Sequence, residues 1–180
     1  MARGESLRLL KSPCKKATHP CPCGFFGDIK RECRCSAVQV QRYRQRVSGP
    51  LLDRIDIHVE VPAVPFKELI GNHSSEPSSA IRERVLAARA IQQKRFADSP
   101  QTRCNARMTS KALKAHCTID EESRELLRMA MHELNLSARA HDRILKVART
   151  ISDLEAAPDI TATHLSEAIQ YRTLDRNLWM

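Results

Sequence analysis

Four cysteines form the set of residues best suited to chemistry in this sequence: Cys21 and Cys23 make one Cys-x-Cys pair, and Cys33 and Cys35 make a second. Four thiolates can enclose Zn²⁺ tetrahedrally, because thiolate is a soft ligand that suits this ion. Structural zinc sites usually separate paired ligands by two to four residues, so one intervening residue is a tighter spacing than usual. The pattern predicts a structural zinc, and the alternatives are reduced thiols without metal or a redox disulfide.

Arg54 is a second candidate, because it lies where a turn meets a segment of alternating apolar residues. The planar guanidinium has several donors, so an arginine in such a place can reach into a neighbouring subunit and contact a γ-phosphate. The alternative is an ordinary salt bridge to Asp53 or Asp56. Spacing alone favours that salt bridge.

Arg139 is a third candidate, in the first turn of the most regular predicted helix. Arg143 follows one turn later on the same face, so the two guanidinium groups can reach one phosphate. The alternative is a solvated arginine face with Asp142 nearby, and without other information this is the favoured interpretation.

The elements that position these residues are mostly helices. Ser137 is a good N-cap, the apolar residues after it follow helical spacing, and Pro158 ends the pattern. Alternation of apolar and polar residues over 55–61 predicts one half-buried strand, which Pro62 and Pro65 close. Ser36 is predicted to cap a helix that runs to Arg46, and Ser78 or Ser79 to cap one that runs to about Phe96. Further helices are predicted from Thr109 or Ser110 to His116, from about Asp120 to Asn135, and from Thr161 onward.

The positive charge is concentrated near the start of the chain. The net charge is +9, and residues 1–50 contain 11 of the 30 Lys and Arg but only 3 of the 21 Asp and Glu. A basic patch of this kind favours polyanions such as nucleic acid or nucleotide phosphates. The alternative is a solvated face or a disordered arm.

The composition argues against a membrane or secreted protein. No apolar run approaches the roughly 18 residues that a membrane span requires, and the first residues lack an apolar signal region. We therefore expect a cytoplasmic protein with reduced cysteines. Aromatic residues make up only 4% of the chain, which favours a helical fold over a β-sandwich.

Four segments resemble the magnesium-chelatase-like AAA+ ATPases of bacteria, the ComM/YifB competence-protein family. The first is Pro-Cys-Pro-Cys-Gly-Phe-Phe-Gly-Asp at residues 20–28, and the second is Ser-Gly-Pro-Leu-Leu-Asp-Arg-Ile-Asp-Ile-His-Val-Glu-Val at 48–61. The others are Leu-Ser-Ala-Arg-Ala at 136–140 and Arg-Ile-Leu-Lys-Val-Ala-Arg-Thr-Ile at 143–151. They occur in the family's order, and the resemblance runs from Pro20 to about Trp179, which is most of the chain.

The resemblance implies a mainly α fold, in which the C-terminal end of an AAA+ α/β core (cysteine loop, helix, one strand) precedes a helical lid bundle. It makes Arg54 an arginine finger for a neighbouring subunit and Arg139 a sensor-2 residue for the nucleotide of its own subunit. It also implies ATP and Mg²⁺ as cofactors, hexameric rings of like subunits as partners, and DNA as the substrate. The expected organisation is a poorly ordered basic N-terminus (1–18), a core remnant (19–70), a linker (71–79) and a helical lid domain (80–180).

The sequence departs from the family pattern in three ways. No Gly-x-x-x-x-Gly-Lys-Ser/Thr motif occurs in the 180 residues, and no apolar strand ending in acidic residues precedes position 20. The family's sensor-1 Asn corresponds to His19. These departures predict a C-terminal fragment that does not hydrolyse ATP alone. The other hypotheses are a small basic nucleic-acid-binding module with a zinc loop and a non-functional gene remnant.

Overall fold

A computed structural model describes residues 19–28, 31–46, 49–61, 64, 70, 76–99 and 101–177. The predicted disorder of residues 1–18 and most of the predicted linker at 71–79 lie outside these ranges. The chain divides into two compact units, residues 1–47 and residues 48–180. We call them the cysteine unit and the helical unit.

In its described residues, the cysteine unit has a looped segment followed by helix α1 (Ala37–Arg44). Ser36 caps α1 as predicted: its hydroxyl accepts a hydrogen bond from the Gln39 N–H, and the Gln39 side chain accepts one from the Ser36 N–H. The helix is also tied to the loop, because Arg44 Nε donates to the Pro20 carbonyl at 3.3 Å. The start of α1 is therefore fixed by a local sequence signal.

Helices make up the regular structure described in the helical unit. They are α2 (Gly49–Leu52), α3 (Ser78–Arg95), a 3₁₀ turn (Asn105–Arg107), α4 (Ser110–His116), α5 (Glu121–Glu133), α6 (Ala138–Leu154) and α7 (Ala162–Asn177). The prediction of a mainly α fold is confirmed. No helix among the described residues is both long enough and apolar enough to cross a membrane.

Most of the predicted helix starts are confirmed. Thr109, Asp120 and Ser137 each accept a hydrogen bond from a backbone N–H in the first turn, at α4, α5 and α6 respectively. Helix α3 differs, because its N-cap is Pro77, which makes no side-chain cap bond. The prediction that Ser78 or Ser79 caps α3 is therefore wrong: Ser78 and Ser79 lie inside its first turn.

The core of the helical unit lies between α6 and α7, which pack against each other more extensively than any other pair of helices. Helix α6 contributes a stripe in which Ile144 and Ala148 are fully buried, and α7 contributes Leu165 and Ala168. Fully burying one such isoleucine or leucine stabilises the fold by about 1.5–3 kcal/mol. Helix α3 packs on α6, and α5 packs on α7, so the two central helices organise the rest.

A buried carboxylate joins three elements of the helical unit. Asp153 on α6 accepts hydrogen bonds from Arg95 of α3 at 2.5 and 2.7 Å and from Asn105 of the 3₁₀ turn at 2.7 Å. Arg149 lies one turn earlier on α6 and donates to the same carboxylate at 3.2 Å. Burial disfavours the charge of Asp153 and is the largest single influence on it. The hydrogen bonds from Arg95 and Asn105 and the charges of Arg95 and Arg149 outweigh it, so the pKa of Asp153 lies below its usual value.

The prediction of a strand at residues 55–61 is wrong. None of these residues pairs as a strand, and no strand occurs in the described part of the chain. A strand needs a neighbouring strand for its backbone groups, but here the His58 N–H donates to the carbonyl of Tyr171 on α7 at 3.0 Å. Alternation alone did not bury the expected face, since the Val59 and Val61 side chains are exposed.

We predict that Asp153→Asn destabilises the helical unit by about 3 kcal/mol, because it leaves two arginines without their buried counter-charge. Since the folded-state pKa of Asp153 is lowered, its contribution to stability is fully present above the unfolded-state value of about 3.9 and is lost as the pH falls through the folded value. Urea unfolding followed by circular dichroism at several pH values measures both effects. The acid-side slope should be shallower in the variant.

The matched control is Asp98→Asn, since the Asp98 side chain is exposed. It should change the free energy of unfolding by less than about 0.5 kcal/mol. Equal stability of Asp153→Asn and the unmodified chain would show that the carboxylate is not what joins the three elements.

Candidate functional site

Arg54 lies in the turn that follows α2, and its side chain is exposed. The turn is fixed by two backbone hydrogen bonds, from the Arg54 N–H to the Leu51 carbonyl at 3.0 Å and from the Ile55 N–H to the Leu52 carbonyl at 2.9 Å. Its acidic neighbours Asp53 and Asp56 form ion pairs with arginines of other helices. The structure thus commits both carboxylates to partners other than Arg54.

Arg139 lies in the first turn of α6 and is exposed, as expected for a residue that contacts a ligand or solvent. Arg143, one turn later, has a different environment, because its guanidinium is half-buried and forms an ion pair with Asp56. The sequence suggested that both arginines could reach one phosphate. Because Arg143 is paired with Asp56, Arg139 is the one of the two that is available to contact a phosphate. Asp142, the expected neighbour of this arginine face, contacts His141 at 3.1 Å.

Arg172 on α7 is a residue that the sequence analysis missed. Its side chain is only 1% exposed, its guanidinium donates to the Ile55 carbonyl, and it lies 3.6 Å from the Asp53 carboxylate. The signal was present in the spacing: position 172 continues the apolar stripe of α7 formed by Leu165 and Ala168. A charged residue on a buried stripe requires a partner, and residues 53–55 supply it.

The contacts of Asp53 and Asp56 gather two carboxylates and two guanidinium groups at one place. Burial lowers the pKa of Arg143, and the nearby positive charge of Arg172 lowers it further, whereas Asp53 acts in the opposite direction. Asp53 therefore offsets part of the repulsion between two arginines that α6 and α7 bring together. We call Asp53, Asp56, Arg143 and Arg172 the four-charge cluster.

Ser137 connects this cluster to the start of α6. Its hydroxyl donates to Asp53 Oδ2 at 3.2 Å and accepts a hydrogen bond from the Ala140 N–H at 3.2 Å. A carboxylate near a helix N-terminus is also favoured by the helix dipole. The turn that carries Arg54 thus contacts the helix end that carries Arg139.

The four predicted metal ligands converge in the cysteine unit. Their sulfur atoms all lie within 4.8 Å of one another, and Cys21, Cys23 and Cys33 are separated by 3.4, 3.5 and 3.7 Å. A tetrahedral zinc site with Zn–S bonds of about 2.3 Å places its sulfurs about 3.8 Å apart. The donor set and its spacing therefore fit a zinc ion. Among the residues that the structure describes, this is the only such group of metal-ligating side chains.

Two glycines allow the loop between the cysteine pairs to turn back on itself. Gly24 and Gly27 have φ angles of +84° and +80°, in the left-handed region that favours glycine. The Gly24 N–H donates to the Cys21 carbonyl at 3.2 Å, and the Asp28 N–H donates to the Phe25 carbonyl at 3.1 Å. These consecutive turns return the chain so that the second pair of cysteines meets the first.

The thiols share protons unequally. A hydrogen bond from the Phe25 backbone N–H is the main cause that lowers the pKa of Cys23 to about 6. The Cys35 N–H favours the thiolate of Cys33, but desolvation and hydrogen bonds with the sulfurs of Cys23 and Cys21 outweigh it and raise the pKa of Cys33 to about 12. These shifts favour one thiolate held by neighbouring thiols. A metal ion would take the place of those protons.

Comparison with known proteins identifies the family. The model of the family described as magnesium chelatase, subunit ChlI C-terminal, matches residues 75–172, which is more than half of the chain. The magnesium chelatase, subunit ChlI, model matches residues 13–69. The chain belongs to the magnesium-chelatase-like family. The prediction made from the four sequence segments is confirmed.

Several curated relatives share this part of the family. The chain is 39% identical over 163 residues to the competence protein ComM of Haemophilus influenzae, and 38% identical over 164 residues to the uncharacterized protein YifB of Salmonella typhimurium. The YifB protein of Escherichia coli is 38% identical over 166 residues. In each case the match covers 90% of this chain but 31% of the relative.

The two family matches divide the candidate residues between them. The converging cysteines and Arg54 lie in the segment matched by the ChlI model, and Arg139, Arg143 and Arg172 lie in the segment matched by the ChlI C-terminal model. The four-charge cluster therefore joins the magnesium-chelatase segment that carries Arg54 to the C-terminal family domain.

Proposed function

We propose that this chain supplies two arginines to the ATP sites of a ring of magnesium-chelatase-like AAA+ subunits. Arg54 acts as the arginine finger on the nucleotide of a neighbouring subunit, and Arg139 acts as the sensor-2 residue on the nucleotide of its own subunit. The observation that supports this most directly is that Asp53 and Asp56 are paired elsewhere while the Arg54 side chain is exposed. An exposed guanidinium next to engaged carboxylates is suited to an incoming phosphate.

The chemistry of these roles is electrostatic. A guanidinium placed against the γ-phosphate neutralises charge that spreads over the phosphate oxygens in the transition state, and it needs no proton transfer. Its planar fork can donate two parallel hydrogen bonds to phosphate, which fixes orientation as well as charge. Arg54 and Arg139 both have this chemistry, and both reach solvent.

The remaining parts of the ATP site are proposed to come from outside these 180 residues. The sequence contains no Gly-x-x-x-x-Gly-Lys-Ser/Thr motif to hold the phosphates and Mg²⁺. The chain also matches 31% of the length of the ComM and YifB relatives. We therefore expect no ATP turnover by the isolated chain, whereas rings that combine it with P-loop-bearing segments should hydrolyse ATP.

A complementation experiment tests the roles of the two arginines. The chain replaces the matching segment of Haemophilus influenzae ComM, whose remaining part is expected to carry the P-loop. In this chimera Arg54→Ala should lower kcat on the order of a thousandfold or more, because a finger acts in the transition state. Mixing that variant with a chimera that lacks the P-loop lysine should restore turnover, because each inactive protein supplies what the other needs.

The control for the ATPase measurement is Arg84→Ala, which removes an exposed arginine of α3 that is paired with Glu76. It should leave kcat and the KM for ATP unchanged. Arg139→Ala should weaken ATP binding, and mixing should not restore it because that residue acts within its own subunit. Normal turnover by the Arg54→Ala chimera, or hydrolysis by the 180-residue chain alone, would contradict the proposal.

We further propose that Cys21, Cys23, Cys33 and Cys35 hold a structural Zn²⁺. The sulfur separations support this, as do the glycine turns that bring the two pairs together. The metal would stabilise a short loop that has few apolar side chains to bury. Cys21 is the only buried member of the four, so the ion would lie close to the surface of the cysteine unit.

Metal analysis of the purified chain provides the test. One zinc per chain is expected, and Cys33→Ser should remove it because three thiolates with one hydroxyl bind zinc more weakly. Cys104→Ser is the matched control, since Cys104 is likewise partly exposed but is not one of the four clustered cysteines. Absence of stoichiometric metal from the unmodified protein, or equal metal loss in the control, would refute the site.

A nucleic-acid partner is the second function we propose, and it concerns the cysteine unit. Four arginines near the cysteine loop and α1 are exposed: Arg31, Arg34, Arg42 and Arg46. Arg31 lies over the Phe25 ring at 5.1 Å, and Arg46 lies over the Tyr43 ring at 5.7 Å. Guanidinium groups supported by aromatic rings favour contact with phosphates and bases, and we propose DNA as the ligand.

The salt dependence of DNA binding tests this proposal. Replacing all four arginines with glutamine should weaken binding to a fluorescent duplex and make the logarithmic salt slope shallower by about 3 to 4, because each phosphate contact releases counterions. The control replaces four exposed arginines of the helical unit, with the same change in net charge: Arg82, Arg89, Arg103 and Arg107. Equal effects of the two replacements would show that only overall charge matters.

A further inference from the structure

The turn that carries Arg54 is attached to α6 and α7 by contacts on both sides of that residue. On the N-terminal side, Asp53 accepts a hydrogen bond from Ser137 and lies 3.6 Å from Arg172. On the C-terminal side, Asp56 pairs with Arg143, and the Ile55 carbonyl accepts from Arg172. Arg54 is therefore flanked by residues whose partners belong to two long helices.

These contacts are constrained by burial. The Arg172 side chain is 1% exposed, and a guanidinium so far from water requires acceptors where it lies. Moving residues 53–55 away from α7 would remove the Ile55 carbonyl and the Asp53 carboxylate together. The buried charge thus penalises displacement of the turn more strongly than an exposed salt bridge would.

Arg139 and Arg143 lie one turn apart on α6, so one helix carries both the exposed Arg139 and the arginine that pairs with Asp56. Its N-terminal turn presents Arg139 to solvent, and its second turn holds Asp56 through Arg143. The Ser137 cap connects the beginning of α6 to Asp53. A shift or rotation of α6 must therefore move residues 53–56 or break these bonds.

We infer that Arg143 and Arg172 are positioning residues that clamp the 53–56 turn to α6 and α7, so that Arg54 and Arg139 move as one body. The effect of this clamp on catalysis rests on the proposed function, which assigns a nucleotide to Arg54 and to Arg139. A nucleotide that pulls on Arg139 in one subunit then displaces Arg54 relative to the nucleotide of the next subunit. The clamp is thus a route by which neighbouring ATP sites communicate.

Hydrogen exchange in the 180-residue chain tests the clamp without any nucleotide. In Arg143→Glu the amide of His58, which donates to the Tyr171 carbonyl on α7, should exchange at least about tenfold faster, because the segment separates from the two helices. The amides of Ala148 and Ile151 in the core of α6 should be unchanged, which separates local release from global unfolding. The control Arg84→Glu breaks an exposed ion pair between α3 and Glu76 and should leave the His58 amide unaffected.

Charge exchange provides the rescue. Combining Arg143→Glu with Asp56→Arg restores an opposite-charge pair in reversed order. Hydrogen exchange of the His58 amide should then return to within about threefold of its rate in the unmodified chain. Arg172→Met roughly keeps the side-chain volume but removes the buried charge, and it should also accelerate hydrogen exchange of the His58 amide. Unchanged exchange in both single variants, or no recovery in the double variant, would overturn the clamp.

The ComM chimera separates this inference from the proposed function. Arg143→Glu should lower kcat on the order of a hundredfold with little change in the KM for ATP, because a displaced finger affects the transition state more than binding. The double variant, Arg143→Glu with Asp56→Arg, should recover most of the lost kcat. If Arg54→Ala lowers kcat but Arg143→Glu does not, the positioning role is wrong. If Arg54→Ala has no effect, the proposed function fails, and the exchange experiment still decides the clamp.

Discussion

The charge of Asp153 is the constraint on which the helical unit depends. A carboxylate buried between α3, the 3₁₀ turn and α6 is tolerated only because Arg95, Arg149 and Asn105 all donate to it. Those donors come from three elements, so satisfying one buried charge fixes the relative positions of all three. With these elements in place, the apolar side chains of α6 and α7 pack against each other in one arrangement.

The same rule governs the opposite end of α6. Arg172 is buried on α7, and its acceptors lie in the turn next to Arg54 instead of in the core. Two polar clusters therefore lie along one central helix: the cluster at Asp153 holds the bundle together, and the four-charge cluster holds the Arg54 turn on the bundle. This arrangement connects the stability of the magnesium-chelatase C-terminal domain to the placement of an arginine outside it.

Local signals accounted for most of what could be predicted. The caps at Ser36, Thr109, Asp120 and Ser137 are short-range hydrogen bonds, so the residue types and their spacing were enough to place α1, α4, α5 and α6. The set of four cysteines was also readable, because two close pairs joined by glycine turns bring the sulfurs together. The predicted strand at 55–61 is wrong because alternation of apolar and polar residues marks a segment that could pair as a strand, but it does not provide the neighbouring strand.

The sequence by itself determined the family, most of the helices and the candidate ligands, since each depends on short sequence signals; α2 (Gly49–Leu52) was not predicted. Only the tertiary structure decided which carboxylates pair with which arginines. Spacing suggested that Arg139 and Arg143 act together and that Asp53 or Asp56 neutralises Arg54. The fold pairs Arg143 with Asp56 and brings Arg172 to Asp53, across 87 and 119 positions. Such ion pairs depend on how helices pack, and no local pattern encodes them.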